Sequence, residues 1–213
     1  MVLDFDGVLN AFQPSKKGRE RYFWPMTVLK HVIVRSNHPR TYILNYSKEM
    51  IAQLNTILAD EKTQLLWLTA WKREILRVEP EIGLTPARPS IVVDYAIRNY
   101  DDQIGKPMAF SAFMDGVPSD AALCWVDDCL HGDFGYTRLV RDCLDDLPLT
   151  SVLTIGPDER YGISRHEMDL IRQFADKTLV STGDSKQGMV DRIGSQAARF
   201  ADLGISGAGW SGG

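Results

Sequence analysis

What this chain has little of sets the first limits. No apolar stretch approaches the roughly 20 residues that a membrane span needs. No basic segment leads into an apolar one at the N-terminus, where Asp4 and Asp6 interrupt the run, so export is not expected. Cysteine is scarce: Cys124, Cys129 and Cys143 are odd in number and lack metal-type spacing. They read as reduced cytoplasmic thiols that pack rather than pair. His31, His38, His131 and His166 show no ligand spacing and read as structural or surface residues. Positive charge is not in excess either. A net charge of −4 argues against binding nucleic acid over the whole surface, and leaves a local basic patch open. What is present is a chain of 213 residues, 44% hydrophobic and 24% charged, which suits one generous domain or one core with an insertion.

The pattern along the chain alternates strand and helix. Met1–Phe5, Gln64–Leu68, Ile91–Val93, Leu123–Val126 and Val152–Ile155 are short apolar runs, as expected of strands covered on both faces. Ser47 can cap a helix in which Met50, Ile51, Leu54, Ile57 and Leu58 share one face. Ser164 and Glu167 spell a capping box, with Ile163 and Met168 placed as its hydrophobic staple. This alternation predicts an α/β protein with a parallel sheet, whose ligands gather at the carboxyl ends of the strands.

Two segments stand outside the alternation. Residues 11–46 separate the first strand from the first helix and hold two β-prone runs, Val28–Arg35 and Thr41–Tyr46, around Ser36-Asn37-His38-Pro39. They read as an inserted cap with a β-hairpin. Residues 182–213 read as a weakly helical, glycine-rich tail, which leaves 1–181 as the core with its insertion.

The chemistry gathers at strand ends. Asp4-Phe5-Asp6-Gly7 places two carboxylates one residue apart, then a glycine whose freedom lets backbone amides turn into a site. One carboxylate can attack phosphorus while the other exchanges a proton, with a divalent cation between them. Alone, the same letters also suit a strand ending in an acidic turn. Thr69, followed by Ala70 and Trp71, can donate to a phosphate oxygen beside free helix-start amides, or simply cap that helix. Lys106 precedes Pro107 at a predicted helix start, and could neutralise an attacking carboxylate and a phosphate or be a solvated surface lysine. Trp125-Val126-Asp127-Asp128 drives apolar residues straight into paired carboxylates, which is costly without a compensating cation.

Taken in order, these four pieces resemble the motifs of the haloacid dehalogenase (HAD) superfamily of aspartate-nucleophile phosphatases, over Met1 to about Phe174. The Thr-Ala-Trp and Trp-x-Asp-Asp patterns look like a compact branch common in actinobacteria and their phages. The resemblance implies a Rossmann-like core and a magnesium-dependent phosphohydrolase. Asp4 would be the nucleophile and Asp6 the acid and base. Thr69 and Lys106 would hold the phosphate, with Gly7 and Ala70 beside it. Asp4, Asp6 through its carbonyl, Asp127 and Asp128 would hold Mg2+. One departure is Asn10, which stands where many members have threonine.

The substrate is less defined. Lys16, Lys17 and Arg19, followed by Tyr22-Phe23-Trp24, could grip a phosphate backbone and stack a base, making a nucleotide or polynucleotide-end phosphate the leading substrate. Alternatively the aromatics pack the insertion onto the core. A sugar-phosphate phosphatase, a phosphotransferase or dehalogenase on the same scaffold, and a non-catalytic binding protein are the other readings. No membrane association and no stable partner are expected.

Overall fold

The computed structural model describes residues 1–13, 23–35, 38–95, 105–114, 121–147 and 149–176. In chain order the first elements are β1 (Val2–Leu3), β2 (Thr27–Arg35), β3 (His38–Tyr46), α1 (Lys48–Leu58), β4 (Leu66–Trp67) and α2 (Ile75–Ile82). There follow β5 (Ile91–Val92), α3 (Gly105–Met114), β6 (Ala122–Val126), α4 (Phe134–Asp145), β7 (Ser151–Ile155) and α5 (Arg165–Ala175). Five strands make one parallel sheet in the order β5-β4-β1-β6-β7, and β2 and β3 form a separate antiparallel pair. The chain steps outward from β1 through β4 to β5, then crosses back to place β6 on the other side of β1. Such a reversal opens a crevice at the carboxyl ends of the two central strands, the usual ligand position in open α/β sheets.

Side chains alternate along β1, β4, β6 and β7, so each of these strands feeds two cores. Leu3, Trp67, Cys124, Val126, Leu153 and Ile155 point into one, built with the buried residues of α1, α2 and α5. Val2, Leu66, Leu123, Trp125 and Val152 point into the other, closed by Phe110 and Met114 of α3 and by Tyr136, Val140 and Leu144 of α4. Burial on both faces is why the strands read as continuous apolar runs. The helix starts follow local chemistry. Ser47 Oγ accepts from Met50 N at 3.3 Å, and Ser164 and Glu167 exchange both capping-box bonds, at 3.2 and 2.6 Å.

The run Gln64–Leu68 is paired as a strand only at Leu66 and Trp67. Its neighbour β1 leaves the ladder at Asp4 to enter the following loop, so only two residues have strand partners on that side. The β-prone runs of the insertion lie in β2 and β3, paired from Thr27↔Tyr46 to Arg35↔His38, while Ser36 and Asn37 lie outside the described residues.

Of the two readings of the insertion's aromatics, packing onto the core holds for Phe23 and Trp24, which are buried and not presented to a base. The Phe23 ring packs against Tyr161 at 4.6 Å, Trp24 Nε1 donates to the Ile163 carbonyl at 2.9 Å, and the Arg165 guanidinium lies 4.1 Å over the Trp24 ring. These contacts anchor the insertion to the loop before α5, as large aromatic surfaces do when apolar partners are at hand. Lys16, Lys17, Arg19 and Tyr22 lie outside the described residues, as does the 182–213 segment. Among the described residues no helix is long and apolar enough to cross a membrane.

Candidate active site

Strand register brings the motif residues together. Leu3 pairs with Val126 and Asp4 N donates to the Val126 carbonyl at 3.0 Å, so Asp4 and Asp127 leave the two central strands side by side. On the other flank Leu3 pairs with Trp67 and Leu68 N donates to the Leu3 carbonyl at 2.9 Å, which carries Thr69 to the same edge. Lys106 stands in the first turn of α3. Asp4, Thr69, Lys106 and Asp127 are exposed by only 8, 1, 4 and 0%, so Lys106 is no solvated surface lysine. Its ammonium bonds Asp4 Oδ2 and lies 2.9 Å from Asp127 Oδ2, bridging the two strand ends.

Further donors complete the carboxylate environment. Phe5 N donates to Asp4 Oδ1 at 2.6 Å, the Tyr136 hydroxyl to Asp127 Oδ2 at 3.0 Å, and Cys129 N to Asp127 Oδ1 at 3.1 Å. Burial opposes the charge on Lys106, but attraction to Asp4 and Asp127 outweighs it and holds the amine well above its ordinary value. Burial pushes Asp4 up to about 6, with Lys106 pulling it down and Asp127 adding to the rise. Asp128 is pushed up to about 7 by burial and by the charges of Asp4 and Asp127. Tyr136 is pushed far up by burial and by Asp127, so its hydroxyl stays a donor. Three carboxylates thus gather around one ammonium that bonds only Asp4 and Asp127, so the cluster carries a surplus of negative charge.

Within its loop the Gly7 amide donates to the Asn10 carbonyl at 2.8 Å. What the glycine supplies is conformation and space. Its φ is +70°, and a Cβ there would sit 2.5 Å from Asp128 Cγ, so only glycine lets the loop after β1 close over Asp128. Ala70 is exposed beside buried Thr69, whose Oγ1 accepts a long 3.4 Å bond from Trp71 N.

Asp6 is held apart from the Lys106 bridge. Its Oδ1 accepts from Asn10 Nδ2 at 2.7 Å and its Oδ2 from Trp71 Nε1 at 2.8 Å. Asn10 thus ties Asp6 to the hairpin, its Oδ1 accepting from Asn45 N at 2.8 Å. The sequence assigns no site role to Trp71, Tyr136, Asn45 or Cys129, although Trp71 stands in the Thr-Ala-Trp pattern and Cys129 reads as a packing thiol. Tyr136 and Asn45 reach the site from segments further along the chain, whereas the Cys129 amide meets Asp127 only two residues away.

A metal would find oxygen donors here. The ligand atoms of Asp127, Asp128 and Cys129 lie within 4.8 Å of one another. Carboxylates suit a hard divalent cation, whereas a thiol does not. Burial and mutual repulsion also push the Cys129 thiol up, so it stays protonated and a poor ligand. Among the carboxylates, Asp127 already accepts from Lys106, Tyr136 and Cys129, while Asp128 is the more open of the pair. Comparison with family models, with curated proteins and with solved structures finds no match for this chain.

Proposed function

We propose that this chain is a magnesium-dependent phosphohydrolase of the HAD type, with Asp4 as nucleophile. The observation that carries the reading is the buried Lys106 bridge between Asp4 and Asp127 at the reversal point of the sheet. A lysine so placed keeps a nucleophilic carboxylate ionised and can donate to the phosphoryl group it attacks. The surplus of carboxylates over the single Lys106 ammonium fits a hard cation. Asp4, Asp128 and the Asp6 carbonyl would hold Mg2+, with Asp127 as a further ligand or as the group that orients Lys106. Bound magnesium would supply positive charge against the phosphate and the clustered carboxylates.

In this reading an Asp4 oxygen forms a bond to phosphorus as the ester bond on the opposite side breaks, giving phosphoaspartate. Asp6 delivers a proton to the departing oxygen. It then takes one from the water that attacks phosphorus, and inorganic phosphate leaves as Asp4 is regenerated. Lys106 and Thr69 donate to the phosphoryl oxygens throughout. Raised pKa values at Asp4 and Asp128 accord with a site that needs a cation to be fully ionised.

A nucleotide or polynucleotide-end phosphate is the substrate class we favour over a sugar phosphate. With Phe23 and Trp24 committed to packing, the most exposed aromatic ring among the described residues is Phe134, 89% exposed at the start of α4 and close in sequence to Asp127-Asp128, ahead of Phe12 at 53%. An exposed ring at this edge of the sheet offers a face on which a base can stack. The test is release of phosphate from an aryl phosphate and from a panel of nucleotides, phosphorylated oligonucleotides and sugar phosphates. Turnover is expected with Mg2+, lost in chelator and lost in Asp4→Asn. Full turnover by Asp4→Asn would overturn the mechanism, and nucleotide binding without turnover would identify a binding protein.

A further inference from the structure

Asp6 is gripped at both oxygens, and each grip leads to the hairpin. On one side Asn10 Nδ2 donates to Oδ1, while Asn10 Oδ1 accepts from the backbone of Asn45 in β3 and Asn45 Nδ2 returns to the Ala11 carbonyl at 3.1 Å. On the other side Trp71 Nε1 donates to Oδ2. The Trp71 ring is itself packed by the hairpin: Tyr42 of β3 meets it edge-on at 5.1 Å, and His31 of β2 lies 5.8 Å away. Phe5, between the two acidic residues, packs on the Trp71 ring at 5.3 Å. His31 is buried and pinned by Glu81 at 2.8 Å and Glu74 at 3.2 Å, both from the segment that follows Trp71.

The backbone at this point is strained. Lys72, directly after Trp71, has φ +50°, in the left-handed region that non-glycine residues rarely occupy. Its neighbours therefore over-determine the conformation, as happens where a side chain must be aimed. An indole donor and an amide donor at opposite oxygens fix the carboxylate in one rotamer.

We propose that Trp71 is a positioning residue that aims Asp6 through its indole N–H, and that the hairpin, through Tyr42 and His31, sets how firmly that aim is held. The proposal rests on the assignment of Asp6 as acid and base in phosphoryl transfer. Trp71 touches neither substrate nor phosphorus in it. Removing the N–H leaves Asp6 held by Asn10 alone, and a misplacement of ~1 Å in a reacting group can cost about 10²-fold.

The test replaces Trp71 in two ways: Trp71→Phe, and a benzothiophene analogue of tryptophan at position 71 that keeps the shape but lacks the N–H. Both are expected to lower kcat on an aryl phosphate roughly tenfold to a hundredfold, with KM and Mg2+ affinity unchanged. In an Asp6→Asn background, where there is no acid left to aim, neither replacement should lower the residual rate further. Tyr42→Ala should give a smaller loss of the same kind. An unchanged kcat for the analogue, or an equal loss with and without Asp6, overturns the proposal.

A second readout is independent of turnover. The indole ¹⁵N–H resonance of Trp71 should shift and exchange faster in Asp6→Asn. If the wild-type protein releases no phosphate yet this resonance responds, the phosphatase reading has failed and the clamp stands. If the protein is active and the resonance does not respond, the clamp has failed and the phosphatase reading stands.

Discussion

Replacing Lys106 by methionine keeps most of the buried stem but removes the charge that bridges Asp4 and Asp127. The carboxylates then keep only the Phe5 amide, the Cys129 amide and the Tyr136 hydroxyl as donors. Breaking a buried ion pair from one side typically costs about 3–5 kcal/mol. At ~2–4 °C per kcal/mol for a chain of this size, Tm should fall by roughly 6–20 °C in chelator at about pH 8. The loss should shrink as pH falls. Asp4 already holds its proton up to about 6, against 3.8 unfolded, and without the lysine it holds it higher still. Within that window the native state binds more protons than the unfolded chain, so stability decreases as pH rises and the variant suffers most in alkali. Thermal unfolding of wild type and Lys106→Met at about pH 5 and about pH 8 measures both effects. Equal Tm values for the two proteins at both pH values would refute the view that Lys106 neutralises this site.

Three further outcomes follow from the same geometry. In chelator the wild-type protein should lose stability between about pH 4 and pH 7, because Asp4 and Asp128 are raised to about 6 and about 7 and each must give up its proton in the folded state. Mg2+ at 100 times its Kd should restore about 2.7 kcal/mol above that window, and a Tm that does not respond to Mg2+ there would count against the cation site. Gly7→Ala forces a left-handed alanine, at about 1–2 kcal/mol, and pushes its methyl into Asp128. Calorimetric titration should find Mg2+ affinity lower by roughly tenfold to a hundredfold, whereas wild-type affinity would mean that Asp128 does not hold the metal. Phe134→Ala should raise KM for nucleotides by roughly 5- to 150-fold, the equivalent of about 1–3 kcal/mol of stacking, and leave aliphatic phosphates alone. Equal effects on both would remove the stacking argument.

The sequence made the ingredients of the site legible, but not its contacts. Hydrophobic runs that end in Asp4 and Asp127 announce buried strands with carboxylates at their exits, because a half-solvated strand would alternate instead. The Ser164–Glu167 box is equally legible, since its partners are three residues apart on one turn. Lys106 was ambiguous for a physical reason. A lysine at a helix start is soluble by default, and only the return of β6 beside β1 supplies the two carboxylates that bury it. The Tyr136–Asp127, Trp71–Asp6 and Asn45–Asn10 bonds depend on how helices and hairpin settle on the sheet, so no local pattern reports them. Phe23 and Trp24 show the opposite hazard. Aromatics beside basic residues look like a binding face, yet Tyr161, Ile163 and Arg165, far along the chain, gave them a core to join.

Rapid quench during turnover, followed by borohydride reduction and peptide mass analysis, tests whether Asp4 carries the phosphoryl group. Homoserine is expected in place of aspartate at position 4, dependent on Mg2+ and on substrate. Active protein whose Asp4 peptide is never converted, or conversion at a different residue, would contradict that expectation.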